Sequence, residues 1–149
     1  MHRLTNCNYN LFKWKLQESP YCKYCNIHID TIEHHFYLCA FSKEFWEKLG
    51  KYLTNILDLE NTLDFTICEI MFGTGLRRNL KPINSVLNMA ILVGKWYINN
   101  CKTNDKKLFF LEFTTTLYNK MLIYKDIYST AVGVEQQIFK IIQETKWES

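Results

Sequence analysis

Residues 21–39 read YCKYCNIHIDTIEHHFYLC. A C-x-x-C pair, two adjacent histidines and a further cysteine crowd into one short stretch, and this constrains folding more than anything else in the chain. Zinc takes four ligands in a tetrahedron, drawn from thiolate and imidazole. The turn between Cys22 and Cys25 places two sulfurs on one ion with little chain to order. One histidine and Cys39 complete the set. Three cysteines and one histidine leave no position for water, so the expected ion is structural rather than catalytic. Soft thiolates with imidazole select zinc ahead of magnesium or calcium.

The histidine is ambiguous on local grounds. DTIE reads as a capping box, with Asp30 as N-cap and Glu33 three residues on, so a helix is expected to begin near Thr31. On an unbroken helix His35 and Cys39 are four apart and share a face, whereas His34 and Cys39 are five apart and do not. Local geometry therefore leans slightly to His35, unless Cys39 lies beyond the helix end. His28 is a third option, although it would close a cramped loop. Chance clustering, a disulfide such as Cys22–Cys39, and a catalytic Cys–His pair are weaker explanations. MHRLTNCNYNLFKWKL is polar from its second residue and shows no secretory signal. An intracellular setting, cytoplasmic or nuclear, is expected, with thiols kept reduced. The remaining cysteines, Cys7, Cys68 and Cys101, are expected to pack as small apolar residues.

The rest of the chain reads as helix. At 149 residues and 48% hydrophobic content it can bury one core of its own. Two prolines and five glycines are few breakers, which favours long helices over many short strands. Apolar residues recur at Phe45, Leu49, Leu53, Ile56 and Leu57, with Ser42 ahead as N-cap. Pro82 opens a second run, with Leu87, Ala90, Ile91, Gly94, Tyr97, Ile98 and Cys101 on one face. A third stripe holds Phe110, Phe113, Leu117, Met121, Tyr124 and Tyr128, and a weaker fourth holds Val134, Ile138, Ile141 and Ile142. Between the first two, Phe65 to Ile70 fit either a short extended segment or a helical turn. GTG at 73–75 is a loop without the Gly-Lys-Ser/Thr ending of a nucleotide-binding loop. The longest apolar run is broken by Asn88 and Lys95 and is too short to span a membrane. The expected fold class is mainly α, with at most minor β: a small N-terminal zinc knuckle packed on a helical bundle. Residues 1–50 form the zinc-binding segment and 51–149 a helical region packed with it.

Residues 4–46, LTNCNYNLFKWKLQESPYCKYCNIHIDTIEHHFYLCAFSKEFW, resemble the zinc-binding segment that follows the polymerase in reverse transcriptases of non-LTR (LINE-type) retrotransposons. The likeness is carried by Ser19 and Pro20 before Cys22 and Cys25, then Glu33, His34, Phe36, Cys39 and Trp46. NSVLNMAILVGKWYINNCKTNDKK resembles the region that follows in such polyproteins, and IQETKW their usual tail. The resemblance implies Cys22, Cys25, His34 and Cys39 as ligands of one structural zinc ion. It thus selects His34 over His35 and places Cys39 at or past a helix end. The H-x-x-x-x-C ending matches retroviral zinc knuckles, but the inner loop has eight residues rather than four. The link NIHID is less acidic than is usual in the family. Nothing resembles a polymerase palm or an endonuclease, since Asp30, Asp58, Asp64, Asp105 and Asp126 show no catalytic pairing. The resemblance therefore implies a detached, non-enzymatic C-terminal piece.

That family role is to help the polymerase grip RNA template and DNA target during target-primed reverse transcription. The residues offer a physical basis for it. Lys13, Lys15 and Lys23 surround Trp14, Tyr21 and Tyr24 near the metal loop, and cations beside aromatics suit phosphates and unpaired bases. Arg77, Arg78 and Lys81 form a second basic group, and Lys95, Lys102, Lys106 and Lys107 a third. Each group also fits an ordinary solvated surface, and Trp14 with Leu11 also fits the inner face of a short helix. The expected partners are RNA or DNA and the polymerase portion of the parent protein, with no membrane. The rival is a zinc-stabilised helical module that docks on a protein and does not bind nucleic acid. One zinc set with only scattered further ligands excludes a two-site RING-type fold.

Overall fold

The computed structural model describes residues 7–75 and 83–128. Pro82, the basic residues Arg77, Arg78 and Lys81, and the stripe from Val134 to Ile142 lie outside them. The chain runs α1 (Asn8–Lys13), a π-helix (His34–Leu38), α2 (Ala40–Ile56), α3 (Ile67–Phe72), α4 (Asn84–Thr103) and α5 (Phe110–Tyr128). Among the described residues there is no strand, and the one extended pairing is an antiparallel bridge between Tyr21 and Ile29. The mainly helical expectation holds.

The three stripes legible in the sequence form α2, α4 and α5. Phe45, Leu49, Leu53 and Ile56 of α2 are buried, as are Leu87, Ala90, Ile91, Tyr97, Ile98 and Cys101 of α4 and Phe113, Leu117 and Met121 of α5. Each such large apolar side chain contributes about 1.5–3 kcal/mol relative to exposure. The core centres on Phe45. Its ring meets Phe113 at 4.7 Å, Trp46 at 5.0 Å and Tyr97 at 6.0 Å between centroids. Trp46 is fixed by its indole N–H, which donates to Phe36 O at 2.6 Å. Opposite it, α4 carries Gly94, where an added Cβ would lie 2.7 Å from the Trp46 ring. That glycine makes room for the Trp46 ring against α4.

The ambiguous stretch at 65–70 is helical. Thr66 caps α3 in a reciprocal box: its side chain accepts from Glu69 N–H, and the Glu69 carboxylate accepts from Thr66 N–H at 2.9 Å. Two expected caps are corrected. α2 starts at Ala40, with Cys39 in the capping position, so Ser42 lies inside the first turn and donates to His35 O at 2.9 Å. Asp30 does not cap the following helix, because its carboxylate points to α1. Thr31 Oγ1 takes the His34 N–H at 3.2 Å instead. One cysteine is also corrected. Cys7 and Cys101 are buried, but Cys68 on α3 is exposed.

Candidate metal centre

The site is assembled from a hairpin and a helix end. Residues 20–30 fold back through Asp30 N–H to Pro20 O (2.9 Å) and Cys22 N–H to His28 O (2.8 Å). The C-x-x-C turn is closed by Asn26 N–H donating to Cys22 O at 2.8 Å. Asn26 has a φ of 55°, in the left-handed region that asparagine tolerates better than most residues. Cys22 and Cys25 thereby face the same side. The hairpin is tied to α1 by Asn8, whose side-chain amide donates to Tyr21 O at 2.7 Å and whose N–H donates to Asp30 Oδ2 at 2.9 Å.

The other two ligands come from the π-helix. Cys39 N–H donates to His34 O at 3.0 Å, five residues back. An i→i+5 turn is wider than an α turn. It ends at Cys39, whose backbone is extended (φ −60°, ψ 133°). Together these bring positions 34 and 39 onto one site, which a regular α-helix would not. The carbonyls this turn leaves are taken by side chains. His35 O accepts from Ser42 Oγ and from Lys102 Nζ (2.7 Å), and Phe36 O from Trp46.

Cys22, Cys25, His34 and Cys39 are positioned to hold one metal ion, with all four donor atoms within 4.8 Å of one another. Cys22 Sγ and Cys39 Sγ are 3.9 Å apart, and Cys25 Sγ and His34 Nε2 3.4 Å apart. Tetrahedral zinc with bonds of about 2.3 Å to sulfur and about 2.0 Å to nitrogen would set these edges at about 3.8 and 3.5 Å. These two edges match that ion. Three of the ligands are buried and Cys25 is half-buried. The Cys39 thiol is held below its usual range, first by the hydrogen bond from Cys22 and then by the charge of Lys102. Cys22 is raised correspondingly, as the donor of that bond and by burial.

His35 is engaged elsewhere. Its Nδ1 lies 3.1 Å from Asp30 Oδ2 and its Nε2 3.1 Å from Asn99 Oδ1, and the ring is 2% exposed. It pins the hairpin to α4 rather than binding the ion. Burial pushes the Asp30 carboxyl up, but the His35 hydrogen bond and charge and the Asn8 N–H outweigh it, leaving Asp30 below its ordinary value. His28 is exposed, and its ring stands 5.5 Å from that of His34 without joining the ligand set.

The residues expected to touch nucleic acid are divided. Lys13 at the end of α1, Trp14 and Lys15 in the turn that follows, and Tyr21 on the hairpin are exposed, so Trp14 is not a core residue. Lys13 Nζ sits 5.1 Å from the Tyr9 ring. Lys23 pairs with Asp105 at 3.4 Å. Tyr24 is half-buried, packed edge-on against Phe41 at 5.6 Å and hydrogen-bonded through its hydroxyl to Lys106 O. Lys102, grouped by sequence with Lys95, Lys106 and Lys107 as a third basic patch, is buried at 7% exposure. Its place was missed because Lys102 follows Cys101 at the edge of the α4 stripe, where a lysine reads as surface. Asp30 was missed as a site residue because it read as a cap, and Asn99 carried no signal of its own in the sequence.

Fold and site together define a helical protein clasped by one Cys3His metal centre. Residues 1–46 match the model of the family described as zinc-binding in reverse transcriptase. The matched span contains all four ligands and ends at Trp46. No curated protein and no solved structure matches the chain. Among the described residues no helix is long and apolar enough to cross a membrane.

Proposed function

We propose that the chain is an accessory, non-catalytic module of a LINE-type reverse transcriptase, in which the zinc clasp holds a nucleic-acid-contacting surface against the helices. Four closed ligand positions leave the ion no place to activate a water, which supports a structural role. The observation that carries the reading is a cleft of about 530 Å3 beside the metal loop, between the hairpin, α2 and the α4–α5 connection. Tyr24, Phe41 and Phe110 supply aromatic walls, and Lys23, Lys48, Lys106 and Lys107 line the same cleft. Lys23 and Lys48 are partnered by Asp105 and Glu44, whereas Lys106 and Lys107 have no ion pair among the described residues. Cations that track a backbone and rings that stack bases are the ingredients of single-strand binding. Exposed Lys13, Trp14 and Lys15 at and just past the end of α1, with Tyr21 on the hairpin, offer the same chemistry.

The test is anisotropy of a labelled single-stranded RNA, and of a primer–template, with the zinc-loaded chain across a salt series. Binding is expected at low salt and to fall steeply as salt rises. Phe41→Ala should weaken it about fivefold or more, given about 1–3 kcal/mol per stacked base. No salt-dependent shift at low salt would overturn the reading.

A second reading, a protein-docking module, is favoured by one observation. Leu92 and Trp96 of α4 and Ile123 of α5 are each more than half exposed, and Lys120 Nζ lies 5.7 Å from the Trp96 ring, so the two helices share this outer face. A partner held there would bind with little dependence on salt.

A further inference from the structure

We propose that Lys102 is the charge-compensating member of the metal centre, a positioning residue that neutralises the loaded site from α4. This rests on the zinc reading of the four ligands. Three thiolates and a neutral imidazole around a divalent ion carry one net negative charge. Burying a net charge without a partner is expensive. The site must therefore be neutralised from nearby, and among the described residues Lys102 is the cation whose charge acts on Cys22 and Cys39.

Lys102 stands in the last turn of α4, where the helix dipole favours a cation. Its ammonium donates to His35 O at 2.7 Å, lies 4.0 Å from Cys22 Sγ and sits 5.4 Å from the Tyr24 ring centroid. The sulfur distance is long for a hydrogen bond, so the contact acts chiefly through charge. Asp30 is a competing anion that also feels the charge of Lys102; its Oδ2 is taken by Asn8 and His35, while its Oδ1 is buried without a hydrogen-bond partner. Among the described residues no carboxylate lies within ion-pair distance of Lys102 Nζ. Carbonyl, ring and sulfur thus hold the ammonium beside Cys22, and the thiolate cluster is its natural counter-charge.

Two consequences follow. Occupation of the site and docking of α4 against the metal loop are energetically linked, because each supplies the charge that the other needs. The thiolates, Cys22 above all, are less electron-rich than in an uncompensated Cys3His site.

The experiment uses the full chain loaded with Zn2+ and, separately, with Co2+. Lys102→Met keeps the length and removes the charge, and Lys102→Arg keeps the charge. Lys102→Met should lower zinc affinity in chelator competition about 10–100-fold, the range for residues that support metal ligands. It should also move the cobalt–thiolate charge-transfer band to lower energy while the tetrahedral ligand-field bands persist. Lys102→Arg should restore both towards wild type. A merely structural lysine would leave the charge-transfer energy unmoved. If Lys102→Met does not fold, Lys102→Gln takes its place, keeping a donor for His35 O without the charge. A cobalt spectrum superimposable on wild type in the uncharged variant would overturn the proposal, as would an arginine variant as weak as the uncharged one. If wild type binds neither ion, the zinc reading itself falls, and that outcome is separate from either result on Lys102.

Discussion

His34 and His35 are adjacent, yet one faces the sulfurs and the other bridges Asp30 and Asn99. Their substitutions should therefore separate cleanly. His34→Ala is expected to lose bound zinc, as are Cys22→Ser and Cys39→Ser. His35→Ala should keep about one zinc per chain but be less stable by about 1–3 kcal/mol, because it strands buried partners. Metal content by mass spectrometry and the urea midpoint measure the two effects, and a zinc-free His35→Ala would reverse the assignment. At this scale the sequence was most informative about cysteines. Cys22, Cys25 and Cys39 are marked by spacing, because thiolates cluster for few other reasons in a reduced setting. The histidine was not legible from helix phase, which leaned towards His35. Only the family resemblance pointed to His34, and the geometry agrees with it. Lys102 was invisible, since its burial comes from a fold-level contact between residues 22 and 102 that local pattern does not encode.

Periodicity made α2, α4 and α5 readable because each buries a stripe wide enough to repeat over several turns. α3 was harder. Its six residues are too few to distinguish a period of 3.6 from one of 2, although the Thr66–Glu69 box was a usable local signal. The π-helix could not be read at all, for an i→i+5 turn has no residue signature of its own. It exists here with its carbonyls taken by Ser42, Lys102 and Trp46, and with Cys39 turned back to His34. The seating of the Trp46 ring on Gly94 of α4 is a testable property of these elements. Gly94→Ala places a methyl 2.7 Å from Trp46, whose ring is wedged among core aromatics and held by Phe36 O, so it cannot step aside. The expected loss is about 1–3 kcal/mol by overpacking, read from the denaturation midpoint, with a shifted Trp46 emission. An unchanged midpoint would mean that the Trp46 ring is not packed against Gly94.

Across the whole molecule the clasp and the core draw on different forces. The hairpin and α1 contribute few large apolar residues to the core, whereas α2, α4 and α5 supply Phe45, Leu49, Tyr97, Phe113 and Leu117. Polar links dominate the clasp: the four ligands, His35 between Asp30 and Asn99, and Lys102 on His35 O. Metal binding is then the main source of stability for the hairpin, residues 20–30, because free energy of coordination becomes free energy of folding where no preformed site survives without the ion; the π-helix is also held by Phe36, buried in the core. The core helices have their own source in apolar burial. Chelation should accordingly produce local rather than global unfolding. Hydrogen exchange after zinc removal is expected to lose protection over residues 20–30 while α2, α4 and α5 stay protected. Far-ultraviolet circular dichroism should fall only slightly. Loss of protection throughout the chain would show that the ion also holds the helices together, by way of the buried ammonium of Lys102 left without its counter-charge. Which of the two patterns appears decides whether this is a helical domain with a metal-dependent arm or a single metal-dependent unit.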